Sequence, residues 1–337
     1  GDAFDRAIAD LEKPVDPDDD SCFQLLPHVR EELRRLPLES YADYVHYRYR
    51  YDVFPATREI DEYPPLLQIE PSSSCNYRCV FCYQTDSHLT ERSGGHMGQM
   101  SLDMFRGIVD EIEGHVQAVT LASRGEPTIN RQLPEMLQYT KGKFLGLKIN
   151  TNASLLTEKL CHAILDSGIN TLVYSADAAE EPLYSQMRVN GNLDKVLANV
   201  RRFAEIRKAD YPNSSLITRV SGVKVSEKQG MEDMERTWGD MVDQVAFVAY
   251  NPWENTYERE VNEMTTPCSD LWRRMFVWWD GRCNPCDVDY LTKLETGMAG
   301  ETSISDIWTG ELYETLRTKH RESRRTEIEP CRRCTVI

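Results

Sequence analysis

The sequence predicts an α/β protein in which a parallel sheet is covered by helices, either as an open doubly wound sheet or as part of a barrel. Three observations predict it. Short apolar runs alternate with amphipathic helical ones six times between residues 65 and 250; the alternation then stops; and eight of the ten cysteines fall in two groups, one in the alternating region and one after it. The 337 residues suffice for one large domain or a domain with appendages, and 40% hydrophobic with 28% charged residues suits a folded, water-exposed chain. No apolar run approaches the roughly 18 residues of a membrane span, so no membrane partner is expected. With 39 Lys and Arg against 55 Asp and Glu the formal charge is -16, which repels phosphate backbones and argues against nucleic acid as a partner. No signal peptide is visible, and cysteines spread over such a chain are expected to serve metal chemistry in a reducing cytoplasm.

In chain order, residues 1–64 form a helical extension, with apolar positions at helical spacing around Phe23, Leu25, Leu26, Val29 and Leu33. Its acidic stretch Asp16-Pro17-Asp18-Asp19-Asp20 lacks the glycine and distal glutamate of a calcium loop and is read as a solvated loop or helix start. Residues 65–250 follow, with strands expected at 66–69, 116–121, 145–149, 170–174, 216–225 and 244–249. Helices are expected at 102–112, capped by Ser101, and at 133–140, 157–166, 193–207 and 231–241. Residues 251–337 hold five cysteines, a turn at Asp280-Gly281 and one helical run over 304–320, the composition of a small metal-stapled subdomain. In both sheet architectures ligands bind beyond the carboxyl ends of the strands, so the chemistry should follow them.

Directly after the first strand the chain reads Glu70-Pro71-Ser72-Ser73-Ser74-Cys75-Asn76-Tyr77-Arg78-Cys79-Val80-Phe81-Cys82-Tyr83. Cys75, Cys79 and Cys82 could hold three corners of a four-iron cluster, leaving one iron free for a small molecule, or a zinc ion completed by His88 or His96. This loop, with its C-x3-C-x2-C spacing and an aromatic Phe81 before the last cysteine, resembles that of the radical S-adenosylmethionine enzymes. The resemblance implies a partial (β/α)6 TIM-like barrel with a small C-terminal iron-sulfur subdomain. In that family the open iron chelates S-adenosylmethionine, whose one-electron cleavage gives a 5'-deoxyadenosyl radical that abstracts hydrogen from substrate.

Further segments carry the resemblance across residues 65–337. Ser123-Arg124-Gly125-Glu126-Pro127 is similar to the family's Gly-Gly-Glu-Pro segment for the methionyl amino group, with Arg124 in place of the first glycine. Thr151-Asn152-Ala153 resembles its Thr-Asn-Gly turn. By the same resemblance Ser175 and Arg188 would hold the ribose and carboxylate of the cofactor. Donors and acceptors of these kinds at strand ends are what a zwitterionic ligand needs.

In the second group Cys268, Cys286, Cys331 and Cys334 are separated by 18, 45 and 3 residues, which suits a structural zinc or a fully ligated iron-sulfur cluster. The segment resembles the twitch subdomain, a shortened SPASM domain, which implies an auxiliary cluster and so two [4Fe-4S] clusters in all. The related carbohydrate and aminocyclitol enzymes of antibiotic and polysaccharide pathways act on a sugar, nucleoside or aminocyclitol. The leading expectation is epimerisation, with Cys283 as the catalytic hydrogen donor; Cys283 is also open to reading as an inert hairpin cysteine or an alternative cluster ligand. The second expectation is dehydrogenation of the same alcohol with the auxiliary cluster as electron acceptor, and the third is peptide modification. The resemblance implies flavodoxin or ferredoxin as reductant. Cys22 and Cys161 are read as inert, and the acidic total leans toward a cationic amino sugar.

Overall fold

The central strands carry mostly apolar residues on one face and many polar ones among the residues of the other, which favours a sheet that packs helices on one side and curls around the other. The computed structural model describes residues 3–16 and 19–337. Pro17 and Asp18 of the acidic stretch lie outside the described residues; beside them, Asp19 accepts the Ser21 hydroxyl at 2.6 Å as a turn residue does.

The chain opens with α1 (Ala3–Leu11), α2 (Pro27–Arg35) and α3 (Tyr41–Thr57), followed by β1 (Leu66–Ile69), β2 (Arg78–Cys79), the single turn α4 (Ser87–Thr90) and α5 (Leu102–Ile112). Then come β3 (Ala118–Leu121), α6 (Leu133–Tyr139), β4 (Gly146–Thr151), α7 (Glu158–Asp166), β5 (Thr171–Ser175), α8 (Leu183–Met187) and β6 (Arg188–Val189). The barrel ends with α9 (Leu193–Asp210), β7 (Ile217–Lys224), α10 (Met231–Trp238) and β8 (Gln244–Ala249). Strands β1, β3, β4, β5, β7 and β8 are neighbours in that order and all parallel, the six-stranded partial barrel expected. Leu67, Val119, Leu147, Leu172 and Val220 point outward and are fully buried or nearly so under the helices.

The alternate residues point into the lumen. Register pairing sets Gln68, Thr120, Lys148, Thr171 and Ile217 at one level, with Asn150, Val173 and Arg219 at the level above. The N-terminal end of the barrel is closed by α3, whose Tyr44, Tyr47 and Val53 join a second core with Leu66 and Ala118. Arg50 pins that helix down through Asp61 at 2.6 Å and Gln117 at 2.9 Å.

The C-terminal segment holds α11 (Asp270–Arg273), β9 (Arg274–Val277), β10 (Arg282–Asn284), β11 (Gly297–Met298), α12 (Ile304–Thr309) and α13 (Glu311–Arg321). Strand β9 joins the barrel sheet parallel to β1, and β10 and β11 continue it antiparallel. Gly281, at φ 90°, makes the Asp280-Gly281 turn in the left-handed region that glycine favours. The single helix expected over 304–320 is instead two, because Gly310 is extended and serves as the N-cap of α13. Among the described residues no helix is long and apolar enough to cross a membrane.

Candidate active site

The cysteine loop is held at the C-terminal mouth of the barrel by a two-stranded ribbon. Strand β2 pairs antiparallel with β6, which sets Cys79 opposite Arg188, and the Cys82 amide donates to the Cys79 carbonyl at 3.0 Å. Cys75 and Cys82 are partly accessible although protein surrounds them, so the surface they expose faces an internal space. Burial is the first cause raising all three thiols, Cys75 to about 12, and neighbouring thiols of the loop raise Cys75 and Cys82 further. Thiols that cannot ionise alone, grouped around a space, fit a cationic iron-sulfur cluster, whose metals deprotonate them on binding. None of the ten cysteines is in a disulfide.

Gly125 follows β3 and abuts this loop. A Cβ there would lie 2.4 to 2.5 Å from the backbone of Ser72, Ser73 and Ser74, so only glycine permits the approach. It delivers Glu126, whose amide donates to Ser74 O at 2.9 Å. One Glu126 carboxylate oxygen accepts the hydroxyls of Thr128 (2.6 Å) and Thr151 (2.7 Å), and the other accepts the Asn152 amide at 2.7 Å. Burial nevertheless pushes the Glu126 carboxyl above its ordinary value. Such a group fits the ammonium of an amino acid, which would restore the charge balance.

Asn152 itself is spent on the protein: its Nδ2 donates to Asn76 at 3.0 Å and its Oδ1 accepts Ser154 Oγ at 2.7 Å, so it braces the cysteine loop. The Ser175 hydroxyl, at the end of β5, makes no side-chain hydrogen bond among the described residues. Arg188 lies over the Phe81 ring at 5.8 Å and 3.8 Å from Cys79 Sγ, and its Nε is 2.5 Å from the Asp177 carboxylate. Asp177, fully buried, was not singled out in the sequence; it follows Ser175 by two residues and also accepts the Val223 amide at 2.7 Å. An Arg188 neutralised by Asp177 serves the cysteine loop as much as a ligand carboxylate.

Arg124, the departure from the glycine motif, is fully buried and binds Glu70 through two nitrogens at 2.7 and 2.9 Å. Its third arm reaches the Tyr290 carbonyl at 3.0 Å and its plane lies 4.2 Å from the Trp278 ring. It therefore fastens the end of β3 to the C-terminal segment, a role a glycine lacks.

In that segment Cys268, Cys286, Cys331 and Cys334 come together: Cys286 is raised by burial and then by Asp289 and the other three thiols. Cys268, Cys286 and Cys331 are partly accessible yet surrounded, again facing an internal space. The buried Arg325 guanidinium donates to the carbonyls of Thr266, Cys334 and Val336 at 2.8 to 3.1 Å, and the Cys268 amide donates to His320 Nδ1 at 3.1 Å. These two side chains shape the pocket and carry no spacing signature in the sequence. Four thiols within electrostatic reach of one another are the donor type an iron-sulfur cluster takes, although among the described residues no three such side chains close tightly enough to hold a single metal ion.

Cys283 is placed otherwise than expected. In β10 it pairs with Val277, so it shares the outward face of the sheet and is fully buried in the helix-side core. Its Sγ donates to the Gly281 carbonyl at 3.6 Å. A thiol there has the sheet between it and the lumen, which corrects its reading as hydrogen donor. Cys161 is buried under the helices in α7 and Cys22 lies in the extension beside Lys13, at 3.6 Å.

Comparison with known proteins agrees with this geometry. The Radical SAM superfamily model matches residues 69–232 and an iron-sulfur cluster-binding SPASM model matches 268–335. An AdoMet-dependent heme synthase of Methanosarcina barkeri is 25% identical over 56% of this chain and 50% of its own length. A probable GTP 3',8-cyclase of Methanococcus maripaludis is 29% identical over 42% of this chain and 45% of its own. The chain thus spans about half the length of the curated relatives it matches. In structure it is similar to BtrN in complex with AdoMet and 2-DOIA, with TM-score 0.57 at 16% identity over 83% of this chain and 95% of that one. Streptococcus suis SuiB bound to precursor peptide SuiA aligns with TM-score 0.62 at 16% identity, over 84% and 73%. At such identities these structures speak to the fold alone. The two family models, with the cysteine loop and the strand-end motifs, lead to one assignment: the chain carries a radical SAM domain over residues 69–232 and a SPASM/twitch domain over residues 268–335 behind its partial barrel.

Proposed function

We propose that the protein oxidises a secondary alcohol of a sugar, nucleoside or aminocyclitol to the ketone. The proposal includes two four-iron clusters, one on Cys75, Cys79 and Cys82 and one on Cys268, Cys286, Cys331 and Cys334. The single observation that carries oxidation over epimerisation is the position of Cys283: the three thiols outside the cluster sets sit on the helix side or in the extension, so no cysteine faces the lumen to return a hydrogen atom. When bound, S-adenosylmethionine would supply a carbon radical that takes the carbinol hydrogen atom, the four-thiolate cluster would accept the electron left behind, and the hydroxyl proton would pass to water.

The chain's residues do the holding. Glu126, fixed by Thr128, Thr151 and Asn152, receives the cofactor ammonium; the unpartnered Ser175 hydroxyl is offered to the ribose; and Arg188 with Phe81 flanks the cysteine loop. Tyr83 stacks on Trp253 at 6.3 Å and meets Tyr290 at 5.3 Å, an apolar cluster that packs against Cys82. A cytoplasmic flavodoxin or ferredoxin would deliver the electron.

The test is an anaerobic incubation of reconstituted protein with dithionite, S-adenosylmethionine and a panel of aminocyclitols, sugars and nucleosides. The expected product is lighter than substrate by two hydrogens, and Cys283→Ala still forms it. An isomer of the substrate, equal to it in mass when formed in water and one unit heavier when formed in deuterium oxide, and abolished by Cys283→Ala, would restore epimerisation.

A further inference from the structure

Beyond the carboxyl ends of β3 and β4, the first turns of α6, α7 and α9 border an open groove of about 720 Å³. Its lining carries Arg131, Lys159, Lys195 and Arg202 against one carboxylate, Glu158. Arg202 is spent on the wall, where it donates to Asn199 Oδ1 at 2.7 Å. Arg131, Lys159 and Lys195 are exposed, and their side chains make no ion pair or hydrogen bond among the described residues. Asp194, beside Lys195 in the first turn of α9, is outside the lining. The groove is thus a basic surface on a chain whose formal charge is -16.

This groove reaches the cysteine loop. Ser154 in its wall accepts Asn76 Nδ2 at 2.9 Å, and Asn76, bonded to Cys75, is exposed. Next to it Tyr77 lies against Gly191, where a Cβ would stand 3.2 Å from the tyrosine ring. Gly191 leads into Asn192, whose Oδ1 accepts the Lys195 amide at 2.8 Å and so starts α9 at the groove. The ribbon of β2 and β6 extends the same surface. Alternation puts Arg78, Val80 and Val189 on one of its faces and Cys79 and Arg188 on the other. Val80 and Val189 are 48% and 40% exposed, an apolar pair on the loop that bears the first cysteine set. Val80 is bonded to Cys79, so an electron arriving there is one peptide unit from a cysteine of that set.

We infer that the groove and the outer face of the ribbon form the docking surface of the electron donor, and that this donor is a small acidic flavoprotein of the flavodoxin kind. The inference rests on the radical SAM reading, which needs one electron from outside the chain. Charge complementarity carries the choice of partner: the chain as a whole repels an acidic carrier, so a local group of open cations fixes both where it lands and how it is turned. The valine pair selects a flavin, whose apolar dimethylbenzene edge can meet it, over an iron-sulfur carrier. In the docked pair the anionic flavin hydroquinone gives one electron to the cluster proposed on Cys75, Cys79 and Cys82 and becomes the neutral semiquinone, with no proton to place.

The experiment measures binding of oxidised flavodoxin to the cluster-loaded protein by anaerobic calorimetry over a series of potassium chloride concentrations. Formation of 5'-deoxyadenosine, driven by reduced flavodoxin or by dithionite, is followed on the same samples. Wild-type protein is expected to bind flavodoxin with an affinity that falls as salt rises. A variant carrying Arg131→Glu, Lys159→Glu and Lys195→Glu should raise both the Kd and the KM for flavodoxin at least about tenfold, with iron content and the dithionite-driven rate unchanged. A control carrying Arg34→Glu, Lys141→Glu and Lys208→Glu alters net charge equally in α2, past the end of α6 and in the last turn of α9, and should keep wild-type values. If the first variant loses iron, Lys159→Glu with Lys195→Glu is read in its place. Equal losses in the groove and control variants, unchanged binding in the groove variant, binding of an acidic ferredoxin but not of flavodoxin, or no binding by wild type would overturn the docking surface. Dithionite-driven formation of 5'-deoxyadenosine by wild type reads the radical SAM assignment separately, so the two ideas fail independently.

Discussion

At the residue scale the site depends on contacts that tolerate no substitution and on groups held at a loss. Gly125→Ala places a methyl against the backbone of three consecutive residues, Ser72, Ser73 and Ser74, which cannot retreat without moving the adjoining Cys75. Reconstituted Gly125→Ala is expected to bind fewer irons at the first site, read by iron analysis and electron paramagnetic resonance. Glu126→Gln keeps the shape but offers no charge to an ammonium, so S-adenosylmethionine affinity should fall by about tenfold or more while iron content is unchanged. Lys148 gives a pH prediction with a definite sign. Its ammonium, at about 8 in the folded state against an ordinary 10.5, loses its proton while the unfolded chain still holds one. Stability therefore rises between pH 8 and 10.5, and below pH 8 the free protein bears a penalty of about 3 kcal/mol. Lys148→Met should be more stable than wild type at pH 7 by that order, the gap closing as pH approaches 10.5, in denaturant titrations. A variant less stable at pH 7 would mean the lysine already has a partner.

At the element scale the chain was legible where local signals agree. The strands at 66–69 and 244–249 and the helix at 102–112 coincide with expectation because alternation, caps and apolar stripe all point one way. The cysteine loop and the strand-end motifs were legible too, since each follows a strand. What escaped is what contact across the sheet decides. Nothing in 274–277 announces that β9 lies parallel to β1, and a three-residue spacing at Cys283 says nothing about which face of β10 it occupies. Arg124 looked like a flaw in a glycine motif and is a brace, with Glu70 fully buried beneath it. Arg124→Met should destabilise the protein by about 3–5 kcal/mol by leaving that carboxylate uncompensated, and adding Glu70→Leu should recover part of the loss. Equal stability of single and double variants, measured by thermal unfolding of cluster-loaded samples, would refute the brace.

At the scale of the whole molecule, the two cysteine sets belong to separate stretches of chain joined through one sheet. Cys286→Ser should lower iron content by about four atoms and still bind S-adenosylmethionine, whereas Cys79→Ser should remove the other cluster and that binding with it. Removing residues 1–58 would uncover Leu66, Ala118 and the polar lumen at once, and the shortened chain is expected to aggregate on expression. The sheet that joins these parts ends in unequal edges, the two-residue β11 on one flank and the six-residue β8 on the other. β9 and its hairpin complete the side next to β1, while β8 has a neighbour on one side and leaves Val248 about half exposed. Backbone amides along 244–249 should accordingly take up deuterium from solvent ahead of those in β1, β3 and β4, so that the molecule loosens from its β8 flank inward while the flank bearing the second cluster stays shut.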